Sequence, residues 1–107
     1  MKNKVESSYD FLIEYSRTNN KRERLFLIKK SKKDNILAII EIILNTLTGT
    51  IDIDSDIIQT LRPYKHIYRK LKRFNSLNWR EAKQIMSRSR NETAIHKLIK
   101  LFITKIL

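Results

Sequence analysis

The sequence predicts an all-α fold, a compact single-domain bundle of six or seven short helices spanning residues 1–107. Three observations carry this expectation. One Gly and one Pro in the whole chain leave few tight turns, so hairpins should be scarce. Apolar residues recur at helical spacing in segment after segment, most of them preceded by Ser, Asn or Asp, the residues that cap helix N-termini. An apolar content of 41% in 107 residues suits one domain with one core, too small for an active-site cleft between two lobes. The many Ile and Leu also argue against a disordered basic tail.

Ser7 with Asp10 has the look of an N-cap and an acid in the first turn, and Phe11, Leu12 and Tyr15 then share a face, which predicts a helix over about 8–18. Asn20 with Glu23 has capping-box spacing ahead of Leu25, Phe26 and Ile28, so a second, short helix follows. Ser31 with Asp34 opens the longest core candidate. Its Ile36, Leu37, Ile39, Ile40, Ile42, Ile43, Leu44 and Leu47 cover more than half the helix circumference, the pattern of a helix at the centre of a bundle. Gly49 stands where a left-handed C-terminal cap is needed. Thr50 to Asp54 alternates like a strand but has no second strand to pair with, so it reads as an extended linker bringing Ile51 and Ile53 to the core. Asp54 or Ser55 then caps a short helix with Ile57, Ile58 and Leu61.

Pro63 ends that helix and suits the first position of the next, predicted from Pro63 to Phe74. Tyr64, Ile67, Tyr68 and Leu71 would face inward there, with Lys65, Arg69, Lys72 and Arg73 outside. Asn78 with Glu81 forms another capping box, and Leu77 can staple onto Ala82. The helix so opened buries Trp79, Ala82, Ile85 and Met86, shows Arg80, Gln84, Ser87 and Arg88 to solvent, and holds Lys83 at the boundary. Asn91 is read as the cap of a last helix running toward Leu107. Glu41 and Asn45, polar residues on the apolar third helix, are expected to be buried: Glu41 paired with a base elsewhere and Asn45 bonded to backbone near Gly49.

Charge is distributed far less evenly than apolarity. Ten of the chain's Lys and Arg lie between residues 62 and 90 against one acid, Glu81, so 10 − 1 = +9 of the net +12 sits there; residues 41–61 hold four acids and no base. A cationic surface attracts phosphate by Coulomb steering and counterion release, which makes a polyanion the first partner to consider. The expected function is non-catalytic, sequence-tolerant binding of nucleic acid, most readily the backbone of double-stranded DNA, with RNA a possible target. The candidate contacts are Arg62, Lys65, Arg69, Lys70, Lys72, Arg73, Arg80, Lys83, Arg88 and Arg90. A helix-turn-helix reading, with 79–88 in the major groove and Arg80, Lys83, Gln84 and Ser87 as base-readers, ranks below backbone contact because any basic helix offers such groups. Tyr64, Tyr68 and Trp79 could stack on bases, but their helical spacing with Ile67, Leu71 and Ala82 favours core packing.

The order of motifs also resembles a known family. The pattern Glu41-x-x-Leu44-Asn45-x-Leu47-x-Gly49-x-Ile51, then the Leu61-Arg62-Pro63-Tyr64-Lys65 junction and a basic helix with Arg69-Lys70-Leu71, is similar to short basic proteins of Maverick/Polinton elements and their adintovirus-like relatives. Phe11-Leu12 and Arg22 to Leu25 fit that family's leading helices, so the resemblance covers most of the chain. It implies a virion or genome-associated role in the style of adenoviral basic core proteins, and hence a location in nucleus or virion. Family members often carry a Gly-Gly pair and an apolar tail suggestive of protease maturation. Met86 to Asn91 has no glycine here, so that feature does not carry over. A gene captured by a host genome and since diverged also fits.

Other chemistry finds little support. His66 and His96 are thirty residues apart, and the only acid at helical spacing from either is Glu92, so no metal site is expected. Asp52, Asp54 and Asp56 resemble a calcium loop's opening but lack its glycine and its final Glu, Ile57 and Pro63 standing instead. No Gly-x-Ser-x-Gly elbow or glycine-rich phosphate loop is present, and there is no Cys. The expectation is a non-enzyme without cofactor. No secretory signal is visible, and the apolar stretch 36–47 is too short and polar to span a bilayer, which suggests a soluble protein made inside a cell.

The alternative function centres on residues 91–107. Ala94, Ile95, Leu98, Ile99, Leu101, Phe102, Ile103, Ile106 and Leu107 make a wide apolar face edged by Lys97, Lys100 and Lys105. Such a helix can lie on an anionic membrane or dock in a protein partner, although closing its own bundle is the commoner use.

Overall fold

In the computed structural model, residues 8–47, 55–65 and 79–106 are described, and every regular element among them is helical. The elements are α1 (Tyr9–Arg17), α2 (Lys21–Lys30), α3 (Lys33–Leu47), α4 (Ser55–Leu61) with a 3₁₀ turn (Arg62–Tyr64), α5 (Trp79–Met86) and α6 (Ser89–Ile106). Gly49, the 50–54 linker, Asn78 and most of the helix expected over 63–74 lie outside the described residues.

α3 is the axis of the molecule. Ile36, Leu37, Ala38, Ile39, Ile40, Ile42, Ile43, Leu44 and Thr46 are all buried, so it is enclosed on nearly every side, as its continuous apolar surface requires. Thr46, the polar member of this set, returns its hydroxyl to the Ile42 carbonyl at 2.8 Å. α6 is the hub: it packs against α1 and α4 most extensively and also meets α3 and α5. Ala94, Ile95, Leu98, Ile99 and Ile103 are buried at these contacts, joining Leu12 and Tyr15 of α1, Ile57 and Leu61 of α4, and Ala82, Ile85 and Met86 of α5 in one core. The three principal extents, 31 × 29 × 27 Å, are nearly equal.

Several caps differ from expectation. Asn20 does cap α2, its Oδ1 accepting from the Glu23 amide at 3.1 Å. Ser8 occupies the N-cap position of α1 without capping it, and its buried hydroxyl has no hydrogen-bond partner among the described residues; Ser7 lies outside them. Ser31 terminates α2 instead of opening α3, because its hydroxyl donates back to the Ile28 carbonyl. Asn91 likewise sits inside α6, which begins at Ser89, and its Nδ2 donates to the Ile85 carbonyl at 3.1 Å. Asn45 is exposed, not buried. Glu41 is half-buried, and the buried carboxylate–base pair expected there occurs elsewhere, between Glu92 and Arg24. In α2 the inward positions are Arg24 and Ile28, while Phe26 is 61% exposed.

Candidate nucleic-acid interface

α5 turns into α6 with only Ser87 and Arg88 between them. The reversal is held by backbone: the Ser87 amide donates to the Lys83 carbonyl at 2.9 Å and the Arg88 amide to Ile85 at 3.3 Å. The Asn91 side-chain amide also donates to the Ile85 carbonyl. Because Ala82, Ile85 and Met86 are locked into the core, Arg80, Glu81, Gln84 and Arg88 are turned to solvent, with Trp79, Lys83 and Ser87 half-buried between the two sides. Arg80, Arg88 and Arg90 are exposed there, as is Arg62 at the 3₁₀ turn, and none has an ion-pair partner among the described residues.

An open cleft of ≈ 490 Å³ lies between the end of α4 and the start of α6. Gln59, Thr60 and Pro63 form one wall, Arg88, Arg90 and Asn91 the other, so two guanidinium groups line one side of a groove with no carboxylate or imidazole in its described lining. This brings Arg88 and Arg90 to the segment that carries Arg62. Lys65 is half-buried. Arg69, Lys70, Lys72 and Arg73 lie outside the described residues.

Lys83 is not a free cation. Its ammonium donates to the Lys29 carbonyl at 2.9 Å and lies 4.7 Å from the centre of the Trp79 ring, while the Arg80 guanidinium stands 5.5 Å from the same ring. Partial burial, reinforced by the nearby Arg80 charge, lowers the Lys83 pKa below the usual lysine value. Trp79 is half-buried against the core, in keeping with its expected packing role. Ser87 turns its hydroxyl to the Lys83 carbonyl at 2.7 Å. Of the four base-readers expected on this helix, Arg80 and Gln84 are exposed, whereas Lys83 and Ser87 are engaged within the fold.

No family model, no curated protein and no solved structure matches the chain. The site therefore rests on its own geometry.

That geometry adds a helix missing from the sequence-based site. α2 runs along α5, tied by the Lys83 bond at one end and by a Lys21 ammonium bond to the Ser89 hydroxyl at the other. Exposed Lys21, Arg22, Lys29 and Lys30 thereby join the cations of α5 and the α5–α6 turn. Contact between helices so distant in sequence leaves no local pattern to read.

Beneath this surface lies a buried polar cluster. Glu92, fully buried, accepts from Arg24 Nε at 2.8 Å, Arg24 Nη2 at 3.1 Å and the Tyr15 hydroxyl at 2.6 Å. Arg24 Nη1 donates to the Asn19 carbonyl at 2.7 Å, closing the α1–α2 turn. The bond to Glu92 raises the Arg24 pKa, and desolvation followed by the bond to Glu92 drives that of Tyr15 upward, so the phenol stays a donor. His96 meets the Tyr15 ring edge-on, and its Nε2 lies 3.2 Å from the Ser16 carbonyl, which assigns the proton to that nitrogen. Burial, then the Arg24 charge, lowers the His96 pKa and favours the neutral ring. Sequence carried a signal for the cluster: Arg24 falls in line with Ile28, and Glu92 with Ile95 and Ile99, two opposite charges each out of place on an apolar stripe.

Among the described residues no group of three or more His, Asp or Glu is placed to hold a metal, and no helix is long and apolar enough to cross a membrane.

Proposed function

We propose that this chain binds nucleic acid without catalysis and with little sequence preference, holding the phosphate backbone of double-stranded DNA on its basic surface. The observation that carries the reading is the concentration of +9 between residues 62 and 90, with Arg62, Arg80, Arg88 and Arg90 exposed and without ion-pair partners among the described residues. Guanidinium groups left in solvent keep their full charge for phosphate, and their fork geometry suits phosphate oxygens. The resemblance to Maverick/Polinton basic proteins points the same way, toward a virion or genome-associated protein of nucleus or virion.

The alternative, a membrane or protein partner taken up by residues 91–107, is less well supported. Its described apolar residues are largely covered by α1 and α4, and among them Leu101 is the large apolar side chain left in solvent.

Fluorescence anisotropy of a random DNA duplex across a salt series, with heparin as competitor, tests the proposal. Log affinity should fall linearly and steeply with log salt. Changing Arg80, Arg88 and Arg90 together to Gln should shallow that slope by roughly three, about one per lost phosphate contact, and weaken all sequences alike. The parallel change of Lys65, Arg69, Lys72 and Arg73 to Gln tests the other row of cations. Absence of binding at low salt would overturn the reading, and a preference for RNA over the duplex would change its substrate.

A further inference from the structure

Phe26 is the most exposed large apolar side chain described, at 61% of its full accessible surface. It lies in the middle of α2, where the neighbouring Leu25 and Leu27 are half-buried and Ile28 is enclosed in the core. Its own surroundings are mainly cationic, Glu23 at i−3 being the one acid at helical spacing from it. Arg22, Lys29 and Lys30 stand at i−4, i+3 and i+4, on the same helical face and in solvent, and the Lys30 ammonium is 5.7 Å from the ring centre. Through the Lys83 bond to the Lys29 carbonyl this face borders the cations of α5.

An aromatic ring bordered by three cations and one acid, in a net positive setting, matches a ligand that offers a flat π surface and a negative backbone together. Duplex DNA provides the second without the first, since its bases are stacked inside. An unpaired nucleotide provides both. A lipid surface would also meet the charge, but membrane-lying helices present a broad apolar face, and α2 shows a single exposed ring among cations. We infer that Phe26 is a stacking platform for an unpaired base, with Arg22, Lys29 and Lys30 receiving the flanking phosphates. The chain would thus favour single-stranded nucleic acid at this face. The inference deepens the phosphate-binding proposal and rests on it.

The test compares affinities for an oligothymidine strand and a duplex of equal phosphate number, using wild-type protein, Phe26→Ala and Phe26→Tyr. Phe26→Ala should weaken strand binding about fivefold or more while duplex binding stays within about twofold, and Phe26→Tyr, which keeps the π face, should restore it. An oligonucleotide carrying 2-aminopurine gives a readout that needs no variant: stacking should quench its fluorescence in the wild-type complex. Far-UV circular dichroism checks that the variants remain folded. Equal losses on strand and duplex, no loss on the strand, or no quenching would overturn the stacking role while leaving phosphate binding intact. Failure of wild-type protein to bind either ligand at low salt would overturn both. If Phe26→Ala instead removes binding to anionic vesicles, or converts a dimer to a monomer, with strand affinity unchanged, the ring serves a lipid surface or a second copy and the inference is wrong.

Discussion

Arg24 and Glu92 show how much one buried charge depends on another. A carboxylate taken wholly out of water is tolerable here because two guanidinium nitrogens and a phenol donate to it. Glu92→Leu would leave the Arg24 charge in the interior without a counter-charge, at a cost of about 3–5 kcal/mol. The double variant Arg24→Met, Glu92→Leu removes both charges. It should recover at least about 1 kcal/mol of that loss, because well-packed apolar side chains often replace a buried pair with little penalty. Urea midpoints of the two single variants and the double variant, analysed as a thermodynamic cycle, check this. If the double variant is as unstable as the sum of the singles, the residues are not coupled. Both charges were visible in the sequence as interruptions of apolar stripes, but their pairing was not. Glu41 drew attention because it lies on the greasiest helix, yet a flank of α3 that reaches partial exposure lets it stay half in water.

Among elements, α3 was the easiest to read and the capping residues the hardest. A helix apolar over most of its circumference has one place to go, and α3 goes there. A capping side chain is ambiguous, because Ser and Asn can accept from the helix that follows or donate to the one before. Asn20 accepts forward, whereas Ser31 and Asn91 donate backward, to Ile28 and Ile85. Sequence spacing alone does not separate these uses. The α5–α6 turn, and with it the presentation of Arg88 and Arg90, is held by two backbone bonds and by the Asn91 side chain. Asn91→Ala should destabilise the protein by about 1–2 kcal/mol, since the buried Ile85 carbonyl loses its side-chain donor. Asn91→Asp, which places an acceptor against that carbonyl, should be no better. Thermal melts give the magnitude, and hydrogen exchange at 83–88 should accelerate more than in α3. Unchanged exchange in that segment would show that the backbone bonds hold the turn unaided.

For the molecule as a whole, the dominant quantity is +12 on a body only 31 × 29 × 27 Å across. Self-repulsion of this kind works against the compact state and is relieved by screening, the Debye length shrinking from about 30 Å at 0.01 M salt to about 8 Å at 0.15 M. The melting temperature should therefore rise between 0.01 and 0.15 M NaCl, by roughly 4–8 °C for each kcal/mol recovered. Heparin at matched ionic strength should raise it further, by binding the folded form. Calorimetry or dye-monitored melts decide this, and a melting temperature that falls with salt would mean attractive surface pairs outweigh repulsion. The skew of charge along the chain was legible from composition. That α2 stands beside α5 was not, because only the finished packing brings those stretches together. The same holds for the tie between Tyr15 and Glu92, residues separated by 77 positions. Its last consequence is kinetic. Forming it closes a very long loop, and the entropy of closure must be paid before the contact returns anything. Docking of the first two helices onto the last should then be a late event on the folding route, and loss of Arg24 or Glu92 should hasten unfolding far more than it slows folding, which folding and unfolding rates across a urea series check.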